Sequence, residues 1–174
     1  MARNVQLKGT IREAITLAIP IIIANTAWTL LSVADTAFVG RLGTDPLAAI
    51  GIISSLDFLF AIVLFALGSS SQIAISRFQG GQQTSRIPHV FWNSILMLLL
   101  TGFILSVVAF VTVELVLPHW ISSFGVLSAI KDYMRVKIFS YPLIGIYAGL
   151  RALLFGNAIT YPFGIIAVFI SLLN

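Results

Sequence analysis

The stretch AITLAIPIIIANTAWTLLSVA, residues 14–34, decides the fold, because it runs for 21 residues without a charged side chain. A helix of that length, rising about 1.5 Å per residue, reaches about 31 Å and can cross the hydrocarbon core of a bilayer. The run continues to Val39 if the single acid Asp35 is tolerated inside it. The stretch therefore predicts a transmembrane helix over about residues 14–40.

A cleaved signal peptide is the competing interpretation of this region, since three basic residues precede it: Arg3, Lys8 and Arg12. The apolar core of a signal peptide covers only ~7 to 15 residues, and this run is longer. We therefore favour a membrane span that stays in the protein.

The composition of the whole chain agrees with a membrane protein. Of its 174 residues, 59% are hydrophobic and 9% are charged, and the mean hydropathy is +1.04. A soluble domain carries about 25% charged residues, so a soluble enzyme and a disordered tail are both disfavoured. The chain has no cysteine, which excludes disulfides and thiolate metal ligands. Its net charge of +4 comes from basic residues spread along the sequence, so nucleic-acid binding is not expected.

Turn residues divide the rest of the chain into further apolar runs. The short segment RLGTDP, residues 41–46, contains glycine and proline and predicts an antiparallel hairpin between the first run and the second. We predict an all-α membrane protein, an antiparallel transmembrane helix bundle with four complete spans and a truncated fifth. The predicted helices cover about residues 14–40, 47–75, 88–117, 135–154 and 162–174.

The last apolar run is too short to cross a membrane. Residues 163–174 rise only about 18 Å, little more than half the hydrocarbon core. A terminal carboxylate inside hydrocarbon is costly. We therefore expect the chain to be a fragment of a longer protein or a truncated product.

The distribution of basic residues predicts the orientation of the bundle, since cytoplasmic loops carry an excess of Lys and Arg. With the N-terminus inside, the inner segments hold six basic residues and the outer segments four. We therefore expect a multi-pass protein with a cytoplasmic N-terminus. The inner residues are Arg3, Lys8, Arg12, Arg77, Arg86 and Arg151, and the outer ones are Arg41, Lys131, Arg135 and Lys137.

Asp35 is the main candidate for chemistry, because an ionised Asp near the bilayer centre costs at least ~2.5 kcal/mol and usually faces a bundle interior or a water cavity. Residues 3, 7 and 10 positions earlier lie on the same helix face, and these are Ser32, Trp28 and Asn25. This polar and aromatic stripe predicts a cavity in which Asp35 exchanges a proton or binds a sodium ion. A structural Asp35, hydrogen-bonded to a neighbouring helix, is the alternative.

Two further acids touch the apolar runs. The predicted hairpin places Asp57 in the same half of the membrane as Asp35, but the spacing does not determine whether the two face each other. We include Asp57 among the candidate cavity residues, although a structural role is favoured. Glu114 lies close to Pro118 and His119, which favours a solvated position at the membrane interface.

The sequence contains no set of residues typical of an enzyme. No nucleophile with a matching base can be assembled, and His89 and His119 bracket the third run about 45 Å apart, too far to share a metal. We therefore expect no catalytic residues, no cofactor and no metal other than a possible sodium ion at Asp35.

The first hairpin carries a pattern that resembles a known family. Residues 18–25 read AIPIIIAN, residues 33–43 read VADTAFVGRLG and residues 47–51 read LAAIG. These stretches are similar to the opening of the multidrug and toxic compound extrusion (MATE) transporters, in particular the DNA-damage-inducible F branch. The loop FQGG at residues 78–81 and Pro142 in the fourth run support the resemblance.

The resemblance implies a secondary antiporter of twelve helices in two six-helix lobes. Such a protein exports cationic or amphipathic drugs and toxic compounds across the plasma (inner) membrane in exchange for protons or sodium ions. Residues 1–174 would then form a partial N-terminal transmembrane lobe, and Asp35 would match the first-helix acid implicated in ion coupling. The alternative is a truncated, non-transporting membrane protein or a partner subunit.

Overall fold

The computed structural model describes residues 7–160 together with residues 162 and 165, and their side chains from residue 14 onward except at positions 17 and 28. Within this part of the chain the protein is helical and has no strand, which confirms the predicted all-α class. The predicted fifth helix, 162–174, lies outside the described residues apart from positions 162 and 165. The six α-helices are α1 Leu7–Gly40, α2 Thr44–Gly80, α3 Ile87–Val111, α4 Leu117–Trp120, α5 Phe124–Lys137 and α6 Ser140–Gly156.

Three of the described helical segments are long and apolar enough to cross a membrane: Ala14–Gly40, Thr44–Gly80 and Thr84–Trp120. The third contains a 3₁₀ turn at its start and a π-helical turn, Thr112–Val116, before α4. Helices α5 and α6 together make a fourth span if they are counted as one, with a bend of 50° between them. The chain is therefore an integral membrane protein with three or four described spans.

The fourth span differs from the single helix expected over residues 135–154. Its helical structure starts earlier, at Phe124, and is interrupted at residues 138–139 before α6 begins. Proline lacks the N–H that would bond to the carbonyl four residues earlier. Because Pro142 is the third residue of α6, the carbonyl of Ile138 has no N–H four residues further on, and it accepts instead from the N–H of Tyr141 at 3.4 Å, so the regular helical pattern is interrupted here.

The described residues form two compact units, one made of those up to Ala34 and from Ala158 onward, the other of Asp35–Asn157. In the first unit, α1 buries Ala24, and the hydroxyl of Thr29 donates to the carbonyl of Asn25 at 2.9 Å. The second unit holds α2 to α6 and a packed core, and it contains most of the features described below.

In the second unit, α2 and α6 pack side by side through small residues. A Cβ placed on Gly68 of α2 would lie 3.2 Å from the Cβ of Ala148, and one placed on Gly156 would lie 2.6 Å from a methyl of Ile75. Small residues allow two helix backbones to approach closely in a membrane, where dispersion contacts hold the helices together. Both contacts advance in the same direction along the two helices, so α2 and α6 are parallel.

Helix α3 packs against α6 even more closely and runs the other way. A Cβ on Gly102 would lie 2.7 Å from the Cα of Pro142, and a Cβ on Gly145 would lie 2.5 Å from the carbonyl oxygen of Leu98. The order of these contacts is reversed between the two helices. Helix α3 is therefore antiparallel to α6 and to α2, as the predicted antiparallel bundle requires.

The core of this unit lies where α5 meets α2, the end of α3 and the start of α6. Apolar side chains on the outer face of α3, including Trp92, Phe103 and Val107, are more than half exposed, as expected for a lipid-facing surface. The buried cluster consists of Ala49, Ile53, Ala109, Val113, Val126, Ile130, Met134 and Tyr141.

Candidate functional site

The stripe predicted around Asp35 falls on α1, which is helical through all of its positions. The side chains of Asn25, Ser32 and Asp35 are exposed in the structure. The side chain of Trp28 lies outside the described residues. Because α1 is helical at all four positions, the four residues can lie on one face of the helix. The cavity that they would line stays a prediction.

Asp57 lies in α2 and uses both carboxylate oxygens. Its Oδ1 accepts a hydrogen bond from the hydroxyl of Tyr141 at 2.6 Å, and its Oδ2 lies 3.1 Å from Nζ of Lys137. The side chains of Asp57 and Lys137 are 24% and 29% exposed, so the pair is largely removed from solvent. A half-buried carboxylate inside a span is thus neutralised by a cation and a hydroxyl from neighbouring helices.

Aromatic rings surround this group. Tyr141 is fully buried, and Phe60 of α2 meets its ring edge-on with centroids 5.5 Å apart. The ammonium of Lys137 lies 6.0 Å from the ring centroid of Tyr133, at the outer limit of a cation–π contact. We refer to Asp57, Lys137 and Tyr141 as the Asp57 cluster.

A second ion pair holds α5 on another side. Nζ of Lys131 lies 2.6 Å from Oε2 of Glu114, and their side chains are 27% and 29% exposed. Glu114 belongs to the π-helical turn after α3, so this pair ties α5 to the third span. Glu114 is thus paired with a cation and partly buried, and its expected position at the membrane interface stays a prediction.

The guanidinium of Arg151, in the second half of α6, is held among aromatic rings. Its central carbon lies 5.5 Å from the ring centroid of Phe65 in α2 and 5.1 Å from that of Phe155. Flat guanidinium groups stack well on aromatic faces, which lowers the cost of placing the charge inside a span.

Sequence reasoning identified Asp57 but missed its partners. Lys137 and Tyr141 are four residues apart, the spacing of one helix face, and this could have marked them as a joint partner for an acid. Nothing local connects them with Asp57, because Tyr141 is 84 residues further along the chain. Within the described residues, no group of three or more His, Cys, Asp or Glu side chains could hold a metal ion.

The described part of the chain contains several apolar helices long enough to cross a membrane, and ionisable side chains within these helices contact one another. These features define the class as a multi-pass helical membrane protein. Residues 20–174 match the MatE family model. The chain therefore belongs to the multidrug and toxic compound extrusion (MATE) family, as its first hairpin indicated.

Several curated relatives carry the name multidrug resistance protein NorM. A probable NorM of Burkholderia pseudomallei is 32% identical over 136 residues, covering 75% of this chain and 28% of that protein. A probable NorM of Thermotoga maritima is 25% identical over 145 residues, covering 83% of this chain and 31% of that protein. The chain thus spans about a third or less of these relatives. No solved structure gives a significant match.

Proposed function

We propose that the chain is part of a secondary antiporter that exports cationic or amphipathic compounds across the plasma membrane in exchange for protons or sodium ions. Membership of the MATE family and similarity to proteins named for multidrug resistance support this function. The observation that carries it is Asp35, a carboxylate inside an apolar span that also presents Asn25, Trp28 and Ser32 at face-sharing spacings.

In this proposal Asp35 is the ion-coupling carboxylate. Binding of a proton or a sodium ion at Asp35 removes or compensates its charge and changes its hydrogen bonding. That change, together with the bend that Pro20 permits in α1, shifts the protein between drug-retaining and drug-releasing shapes.

The test is efflux of a fluorescent organic cation from cells that express the longest reading frame containing this chain. We expect Asp35→Asn to abolish gradient-driven efflux, because a neutral amide cannot exchange a proton or compensate a sodium ion. Asp45→Asn, which changes an exposed acid at the start of α2, is the matched control and keeps efflux. Retained efflux in the Asp35→Asn variant would exclude Asp35 as the coupling residue.

Imposing one ion gradient at a time in vesicles identifies the coupling ion. Efflux driven by a proton gradient in sodium-free buffer indicates proton coupling, and efflux that needs a sodium gradient indicates sodium coupling. A truncated or non-transporting protein would show no efflux under either gradient.

A further inference from the structure

One carboxylate bridges the break in the fourth span. Lys137 is the last residue of α5, and Tyr141 is the second residue of α6. Asp57 of α2 is ion-paired with Lys137 and accepts a hydrogen bond from Tyr141, with one oxygen for each side of the break. We propose that Asp57 is a positioning residue that fixes the angle at which α6 leaves α5.

The break is built into this chain by more than one residue. The carbonyl of Ile138 has no N–H from Pro142 and accepts from the N–H of Tyr141 at 3.4 Å. It also lies 2.9 Å from the hydroxyl of Ser106 in α3, which is shared with the carbonyl of Gly102 at 3.0 Å. The hydroxyl of Ser140 donates to the carbonyl of Lys137 at 2.7 Å. Because unpaired backbone groups are costly inside a membrane, these two hydroxyls make a broken helix tolerable at this position.

Serine hydroxyls satisfy the backbone at the break. The residues at the interruption, Ile138 and Phe139, are compatible with a continuous helix, so the direction of α6 depends on contacts with neighbouring helices. The Asp57 cluster supplies such a contact on both sides of the break. The position of Lys137 at the C-terminus of α5 is also favourable, since a cation there complements the helix dipole.

The angle matters because it sets the position of the far end of α6. Its 17 residues reach about 25 Å, so a change of about 10° at the break moves its far end by about 4 Å. Along this length α6 packs against both α2 and α3 through close glycine contacts. A change of angle therefore repacks both interfaces. Any effect of this angle on transport rests on the proposed function. The proposal that Asp57 fixes the angle does not.

Two spin labels can measure the angle, since residues 1–174 contain no cysteine and any cysteine elsewhere in the expressed protein is first replaced by serine. Phe124 and Leu150 are 86% and 47% exposed, and they lie on α5 and α6 respectively, so cysteines there report on the bend. The protein is expressed as the longest reading frame containing the chain and reconstituted in lipid vesicles. We expect one narrow distance distribution in the parent protein. Asp57→Asn and Lys137→Gln should each broaden it or shift it by a few ångströms.

Two comparisons separate positioning from a general loss of structure. Glu114→Gln removes the ion pair that ties α5 to the third span, which does not bridge the break, and should leave the distribution narrow. Exchanging the charges, with Asp57→Lys and Lys137→Asp together, should return it toward the parent distance. An unchanged distribution in Asp57→Asn, or an equal change in Glu114→Gln, would overturn the proposal. The measurement needs no transport, so its outcome is independent of the efflux test of Asp35.

Discussion

Gly102 of α3 and Pro142 of α6 mark a close approach of two helix backbones in the described structure. A Cβ on Gly102 would lie 2.7 Å from the Cα of Pro142 and 2.8 Å from the carbonyl oxygen of Tyr141. Both neighbours are backbone atoms, so they cannot move aside as a flexible side chain can. The proline that interrupts the fourth span therefore packs directly on the third span, where only glycine fits.

Gly102→Ala should destabilise the protein because the added methyl group forces α3 and α6 apart. Overpacking of this kind costs about 1–3 kcal/mol. Thermal unfolding in detergent, followed by circular dichroism, measures the effect. Gly51→Ala is the matched control, since a Cβ at Gly51 meets nothing within 4 Å and alanine favours the helix. Equal melting temperatures for the two variants would contradict the close packing of α3 on α6.

Gly125→Ala should have a smaller effect, although a Cβ there would overlap the carboxylate of Asp45. That carboxylate is the end of an exposed side chain and can rotate away. The cost is then the loss of a negative charge beside the N-terminus of α5, which is about 0.3–1 kcal/mol. The same unfolding assay checks this, and in an Asp45→Ala background the Gly125→Ala substitution should cost nothing further.

The helical class and the apolar runs could be predicted from the sequence, because membrane spans depend on composition over some twenty residues. The break between α5 and α6 could not be placed in this way. Ile138 and Phe139 resemble any other part of an apolar helix, and Pro142 alone is compatible with a continuous, kinked helix. The contacts at the interruption include one from Ser106, which lies 32 residues away in the sequence and 2.9 Å from the carbonyl of Ile138.

The candidate site could be predicted only in part for a similar reason. A carboxylate in an apolar run is visible in the sequence, so Asp35 and Asp57 could be selected. Whether such an acid is paired depends on which helices pack together. The partners of Asp57 come from α5 and α6, and their approach is set by glycine contacts that no local pattern reveals.

Tyr141→Phe should destabilise the protein while keeping the packed ring. The variant removes only the hydroxyl that donates to Asp57, and a hydrogen bond to a charged group contributes about 1.5–3 kcal/mol. The edge-on contact with Phe60 is retained, so the loss measures the hydrogen bond. In an Asp57→Leu background the same substitution should have a much smaller effect, and an undiminished effect there would show that the hydroxyl acts elsewhere.

Lys137→Met should be among the most destabilising substitutions at the Asp57 cluster, because it leaves a largely buried carboxylate without its counter-ion. Removing one partner of a buried pair costs about 3 kcal/mol or more, whereas replacing both partners by apolar residues is often neutral. We therefore expect the double variant, Asp57→Leu with Lys137→Met, to recover most of the stability in the unfolding assay. It should nevertheless keep the broadened α5–α6 distance distribution, since no group then bridges the break. Recovery of both the stability and the narrow distribution would show that the pair contributes packing alone and does not set the angle of α6.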